Sequence, residues 1–289
     1  MWRTLRTINA NLIVAIPVAM ALGFGYGLAF DASSLKALIM PLTFVMVYPM
    51  MVTLNIRKVA QGGDAKAQLL TQAVNFGIIP FLALFLGRMF FAHEPYMVLG
   101  LLLAGLVPTS GMTISWTGFA RGNVEAAVKM TVIGLTIGSL ATPFYVQALL
   151  GASIEVNVMA VMRQILLIVF LPMAFGWLTQ RWLVKRYGQK AFMTELKPKF
   201  PGLSSVGVIG VVFVAMALKA RAVAGEPAML LSILPPLALL YAVNFGLSTV
   251  AGRLLLPRGD AIAMVYGSVM RNLSIALAIA LGAFGVEGS

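Results

Sequence analysis

The chain has 289 residues, of which 60% are hydrophobic and only 10% are charged. A soluble domain carries about 25% charged residues, so this composition excludes a water-soluble globule and indicates a polytopic α-helical membrane protein. The absence of cysteine and the single histidine, His93, exclude thiolate and multi-histidine metal sites. The net charge of +12 is spread over the loops between apolar runs, which argues against nucleic-acid binding and for a membrane protein.

Nine hydrophobic segments are long enough to cross a bilayer, which needs about 20 mainly apolar residues. They cover residues 8–30, 35–55, 68–91, 96–118, 124–150, 159–184, 203–219, 228–253 and 260–284. The longest predicted loop runs from Arg181 to Gly202. Lys129 lies near the start of the fifth segment and is expected to extend its ammonium group to the cytoplasmic face.

Lysine and arginine are concentrated at the N-terminus and in the loops after the even-numbered segments. The positive-inside rule therefore predicts a cytoplasmic N-terminus. We expect an integral protein of a bacterial or archaeal inner membrane.

An internal repeat relates the two halves of the chain. Residues 73–77 (Ala-Val-Asn-Phe-Gly) in the third segment reappear as residues 242–246 in the eighth, and residues 57–60 are echoed by residues 221–224. Because the repeat unit has five segments, an odd number, the two copies must enter the membrane from opposite sides. This inverted topology is typical of secondary transporters. The second copy is one segment short, so either the protein has nine helices or a tenth follows the ninth.

Two stretches interrupt apolar segments at membrane depth. In the fourth segment, Pro108 and Gly111 are predicted to break the helix, and Thr109, Ser110 and Thr113 supply hydroxyl groups there. Freed backbone groups are costly in lipid, so such a break is tolerated where it faces a cavity or another polar group. The alternative is a proline kink whose backbone is satisfied by its own threonines.

The ninth segment is interrupted at Met270-Arg271-Asn272-Leu273-Ser274. An arginine near the bilayer centre costs about 2.5 to 3.5 kcal/mol on insertion scales. Arg271 is therefore expected either to bind helix-end carbonyls, or to bind an anionic substrate or take the place of a coupling cation. We predict that Asn272 and Ser274 contribute to the same site.

Asn75 and Asn244 lie mid-segment in the repeated pentapeptide. An asparagine in a membrane helix can hydrogen-bond a broken neighbouring helix and hold its shape. We expect packing of this kind to be their first role, and direct contact with the substrate, under which both are included in the predicted substrate site, is the alternative.

The two broken motifs carry a resemblance to a known family. Residues 108–116 (Pro-Thr-Ser-Gly-Met-Thr-Ile-Ser-Trp) and residues 272–280 resemble the fourth-helix and ninth-helix motifs of the bile acid:sodium symporter superfamily, and within it the arsenite efflux permease branch. The resemblance implies a core domain in which two broken helices cross, beside a panel domain. The panel would comprise residues 1–58 and 159–221, and the core residues 68–150 and 228–285.

The chain departs from the arsenite permeases at two positions. Those permeases carry a cysteine where this chain has Thr109, and an acidic residue where Ser274 stands. A hydroxyl does not replace a thiolate for a thiophilic metalloid.

These departures favour a transporter of a small anion, an organic acid or an oxyanion, that is bound by Arg271 and the hydroxyls of the fourth segment. Arsenite efflux and sodium-coupled uptake of an organic anion are the alternatives within the superfamily. No cofactor is expected, apart from a coupling ion, Na⁺ or H⁺. A membrane-embedded enzyme is disfavoured because no nucleophile, metal site or acid–base pair shares one depth, and a receptor or assembly factor remains as a further class.

Overall fold

The computed structural model describes residues 11–54, 64–154, 156–225 and 228–288. These residues are almost entirely helical, and the strand-like pairing recorded among them is one isolated bridge between Pro108 and Arg271. The predicted all-α membrane architecture is confirmed. The predicted start of the first segment at residues 8–10 and the predicted end of the second at Asn55 lie outside the described residues, as do residues 57–60 of the repeat.

The first three predicted segments form helices that contain irregular turns. They comprise α1 (Leu12–Ala29), α2 (Ile39–Thr53), α3 (Ala65–Gln72) and α4 (Ile79–Phe90). A 3₁₀ turn at Ser33–Leu38 precedes α2, and a π-helical turn at Ala73–Ile78 joins α3 to α4. The π turn contains Asn75, and such turns occur frequently at functional sites.

The fourth segment is two helices rather than one. Helix α5 (Pro95–Leu106) ends before the break, and α6 (Gly111–Phe119) begins after it. Residues 107–110 form the break, so Gly111 is the first residue of the second half-helix rather than part of the break. The fifth segment is α7 (Val124–Leu150), with the boundaries that its hydropathy predicts.

The predicted loop from Arg181 to Gly202 is wrong. Helix α8 (Val158–Ile165) continues through a π turn into α9 (Leu171–Ala191), and short helical turns lead on to α10 (Phe200–Gly225). Helix α9 is kinked at Gly188, whose φ of 84° lies in the left-handed region that favours glycine. Lysine, arginine and glutamine are good helix formers, so the helix extends beyond the apolar residues that hydropathy detects.

The last two segments form four helices. They are α11 (Ala228–Ser232), α12 (Leu234–Leu255), α13 (Arg258–Val269) and α14 (Leu273–Gly288). The ninth segment is thus broken between α13 and α14 at residues 270–272, as the fourth is broken between α5 and α6.

Among the described residues, five helical stretches are long and apolar enough to cross a membrane by length and composition. One of them, Val158–Gly225, has 68 residues, contains the kink at Gly188 and covers both the sixth and the seventh segments. Shorter apolar helices include Pro95–Leu106, which precedes the first break, and Leu273–Phe284, which follows the second. Large apolar side chains such as Phe119 and Met159 are exposed, which suits a surface in contact with lipid.

The helices pack in two groups. Helix α10 lies against α1 and α2, and α9 also lies against α2, so segments one, two, six and seven share contacts. In the second group α4 lies against α5, α12 against α13, and α7 against both α6 and α13. Buried apolar side chains of α2, α5, α7, α8 and α14 form a common core that joins the groups. The broken helices belong to the second group.

Lys129 is buried and paired with an acidic side chain. Its Nζ lies 2.7 Å from Asp64 Oδ1, and the two side chains are only 5% and 7% exposed. Gln68 donates to the other carboxylate oxygen at 3.1 Å and to the Ala126 carbonyl at 3.0 Å. The ammonium group is therefore not exposed to solvent, because it meets a carboxylate 65 residues earlier in the chain, next to the start of α3. Its extension towards the cytoplasmic face stays a prediction.

This buried pair can be tested by neutralising its members. Removing one partner leaves an unpaired buried charge, so we expect Asp64→Asn or Lys129→Met to lower the free energy of unfolding by about 3 to 5 kcal/mol. The double variant should regain most of that loss. Thermal unfolding of the purified protein in detergent measures these changes, and Lys66→Met, which alters an exposed lysine of α3, is the control. Additive losses in the double variant would contradict the pairing.

Candidate functional site

The two breaks lie against each other and run antiparallel. Thr109 N donates to Met270 O at 2.7 Å, and Asn272 N donates to Val107 O at 2.9 Å. These bonds form the isolated bridge between Pro108 and Arg271. The pattern is reciprocal, because each break supplies one donor and one acceptor at matching positions of the repeat. Backbone groups freed by one break are thus satisfied by the other, as membrane depth requires.

Each second half-helix begins with a side-chain cap. Ser110 Oγ accepts from Met112 N at 3.3 Å, and Thr113 Oγ1 accepts from Ser110 N at 3.2 Å, which forms a capping box at the start of α6. Asn272 Oδ1 accepts from Ile275 N at 3.2 Å at the start of α14. Three of the predicted substrate-binding side chains therefore also hold the half-helices in place.

Thr109 is fully buried in a strained conformation. Its φ of 65° is uncommon for a β-branched residue and costs about 1 to 3 kcal/mol. Its hydroxyl lies within hydrogen-bond distance of the Pro108 carbonyl at 2.6 Å and the Thr131 carbonyl of α7 at 3.2 Å. These bonds and the bridge hold the residue in place, and they engage the hydroxyl that the sequence analysis assigns to substrate.

Arg271 is 8% exposed and lies between the broken helices. Its Nη1 donates to Gly105 O, in the last turn of α5, at 3.0 Å. Its Nη2 is buried and has no hydrogen-bond partner among the described residues. The ion pair recorded in this part of the chain joins Lys129 to Asp64 and does not include Arg271. The guanidinium is therefore a buried charge with one donor group that lacks a partner among these residues.

Asn75 and Asn244 converge on the end of α13. Asn75 Nδ2 donates to Gly267 O at 3.1 Å, and Asn244 Nδ2 donates to Ser268 O at 2.8 Å. Both side chains are buried, and both Oδ1 atoms lack a donor among the described residues. The amides thus cap carbonyls that the helix end leaves unpaired. Contact of either asparagine with substrate stays a prediction, as it does for the half-buried Ser274 in the first turn of α14.

Sequence reasoning missed the support beneath the first break. A Cβ atom on Gly138 of α7 would lie 2.7 Å from Leu106 O and 2.8 Å from Pro108 Cδ, so only glycine allows this approach. Gly134, one turn earlier, also faces the break. The pair forms a Gly-x-x-x-Gly pattern, which in membrane helices marks close contact between neighbours. This Gly-x-x-x-Gly pattern is the sequence signal from which the close contact between α7 and the first break could have been predicted.

Comparisons with known proteins identify the family of the chain. The sequence profile described as "Sodium Bile acid symporter family" matches residues 40–226. The chain belongs to the sodium bile acid symporter family. The matched range includes the first break and ends before the second, so the family assignment does not depend on Arg271. The superfamily resemblance predicted from the two motifs is confirmed, and the family identifies the chain as a membrane transporter rather than an enzyme.

Relatives of this family member include transporters and resistance proteins at low identity. An uncharacterized transporter of Synechocystis is 23% identical over 84% of this chain and 70% of its own length. The arsenical-resistance protein Acr3 of Alkaliphilus metalliredigens is 22% identical over 83% of this chain and 71% of its own. Acr3 of Corynebacterium glutamicum is 20% identical over 94% of this chain and 80% of its own length.

The support beneath the break can be tested with two matched glycine substitutions in α7. Replacing glycine by alanine inside a helix stabilises it by about 0.5 to 1 kcal/mol where space permits. A Cβ on Gly134 would meet Pro108 and Thr109 at 3.4 Å, so we expect Gly134→Ala to be neutral or stabilising. Gly138→Ala should destabilise by about 1 to 3 kcal/mol because it displaces the break. Thermal unfolding in detergent measures both, and equal shifts would contradict this account.

Proposed function

We propose that this family member is a secondary active transporter that moves a small anionic solute, an organic acid or an oxyanion, through the crossing of the two breaks. The observation that carries the proposal is the Arg271 guanidinium, which is buried, bound on one side to Gly105 O and open at Nη2. A buried charge is costly unless a partner compensates it. An anionic substrate would supply that partner, because a guanidinium group suits a carboxylate or an oxyanion.

The half-helices support an anion at the same place. Helices α6 and α14 both begin at the crossing, so the positive ends of their dipoles lie there. Discontinuous helices in transporters use such N-terminal ends to bind anionic groups. Ser110 and Asn272 cap these ends with neutral side chains and therefore leave the positive field uncompensated.

We further propose how the two packed groups divide the work. The group that contains the breaks (segments three, four, five, eight and nine) would act as the core, and segments one, two, six and seven as the panel. Movement of one group against the other would open the crossing to each side of the membrane in turn. The N-terminus is proposed to face the cytoplasm of a cell whose inner membrane holds the protein.

Arsenite efflux is the second candidate, because two relatives are named arsenical-resistance proteins. The site disfavours the thiol-based form of that chemistry. The residue where the arsenite permeases carry a cysteine is Thr109, and its hydroxyl is buried and engaged with backbone carbonyls.

A ligand-stability experiment distinguishes these functions. Acetate, lactate, phosphate, sulfate and arsenite are added separately to the purified protein, with and without sodium, and the unfolding temperature is measured. We expect an anion to stabilise the protein and Arg271→Ala to weaken its binding about 10- to 100-fold, since a hydrogen bond to a charged group contributes about 1.5 to 3 kcal/mol.

Arg163→Ala is the matched control, because Arg163 also lies in a membrane segment but is exposed. It should leave anion binding unchanged. Stabilisation by neutral arsenite alone would favour the second candidate, and anion binding that survives Arg271→Ala would make Arg271 structural and remove the basis of the proposal.

A further inference from the structure

Several backbone carbonyls in the two breaks, and at the C-terminal ends of the helices that precede them (α5 and α13), already accept hydrogen bonds from donors of the same chain. In transporters with discontinuous helices, C-terminal half-helix ends and unwound carbonyls are the groups that coordinate a coupling cation. Here Val107 O and Met270 O accept backbone N–H groups across the bridge, and Gly267 O and Ser268 O accept the two asparagine amides. Gly105 O accepts the Arg271 guanidinium.

The guanidinium differs from the other donors because it carries a full positive charge. It contacts the last turn of α5, where the helix dipole is negative, and its own backbone follows the end of α13. The guanidinium therefore lies near negative helix ends, which would otherwise attract a mobile cation. We propose that Arg271 is a tethered cation that replaces a coupling metal cation, so that binding and transport of the substrate are independent of sodium.

The charges at the crossing agree with this inference. Each half-helix end contributes about half an elementary charge, so the two negative ends and the two positive ends roughly cancel. Arg271 leaves the crossing with a net charge of about +1, which one monovalent anion neutralises without a second cation. Neutralisation of Arg271 by a monovalent anion rests on the proposed function. The expectation that sodium does not affect the stability of the substrate-free protein does not rest on it.

The test uses the purified protein without added substrate, in chloride salts of choline, sodium or guanidinium at constant ionic strength. Guanidinium is kept at millimolar concentration, at which it does not act as a denaturant and can replace the side-chain group that the Arg271→Ala variant lacks. The wild-type unfolding temperature should be the same in sodium and in choline. Arg271→Ala should show a saturable rise with guanidinium or sodium of about 3 °C or more at ten times the dissociation constant.

Three variants make the result specific. Arg271→Lys keeps the charge and should show no response to added cations, and Arg163→Ala should behave as wild type. Arg271→Gln keeps a donor for Gly105 O but loses the charge, so it replaces the alanine variant if that variant does not fold. It should show the same response to added cations.

Two outcomes would overturn the inference. One is an Arg271→Ala or Arg271→Gln protein whose stability is the same in all three salts. The other is a wild-type protein stabilised by sodium, which would direct the cation to the unpaired amide oxygens of Asn75 and Asn244. Because chloride is constant and no substrate is added, these results are independent of the anion experiment, and either proposal can fail alone.

Discussion

The structure depends on one constraint, the need to satisfy every backbone polar group where water is absent. Breaking a helix at membrane depth frees donors and acceptors, and the reciprocal bonds between Thr109 and Met270 and between Asn272 and Val107 satisfy four of them. Each break is therefore the partner that the other requires. The close approach of α7 at Gly138 and the caps on α6 and α14 help to hold this pair together, and the strained positive φ of Thr109 is tolerated because of it.

The two halves of the repeat share their backbone geometry but not their chemistry. Arg271 occupies the position that corresponds to Pro108 across the bridge. The end of α13 is capped by neutral amides from both halves of the repeat, whereas the end of α5 receives a guanidinium. The two equivalent helix ends thus differ in charge, which places a single fixed charge in an otherwise neutral crossing. The proposed anion binding rests on this feature.

Much of the fold could be predicted from the sequence, because bilayer thickness and apolar composition determine where segments start and end. The boundaries of α7 and the positions of both breaks follow from hydropathy and from helix-breaking residues. The loop at residues 181–202 was mispredicted because polar helix formers carry no hydropathy signal. The ion pair of Lys129 was missed because its partner, Asp64, is remote in sequence. A helix-end carbonyl was one of the partners expected for Arg271, but the residue that supplies it, Gly105, has no side-chain signature.

The covalent attachment of Arg271 has an electrical consequence. A mobile coupling cation crosses the membrane with its substrate and offsets the substrate's charge, whereas a guanidinium that is part of the chain returns in every cycle. On the tethered-cation proposal, each turnover with a monovalent anion moves one uncompensated negative charge. A potential that is negative inside favours outward movement of that charge by about 2.3 kcal/mol per 100 mV. One buried side chain would thereby set the direction in which the membrane potential drives the solute.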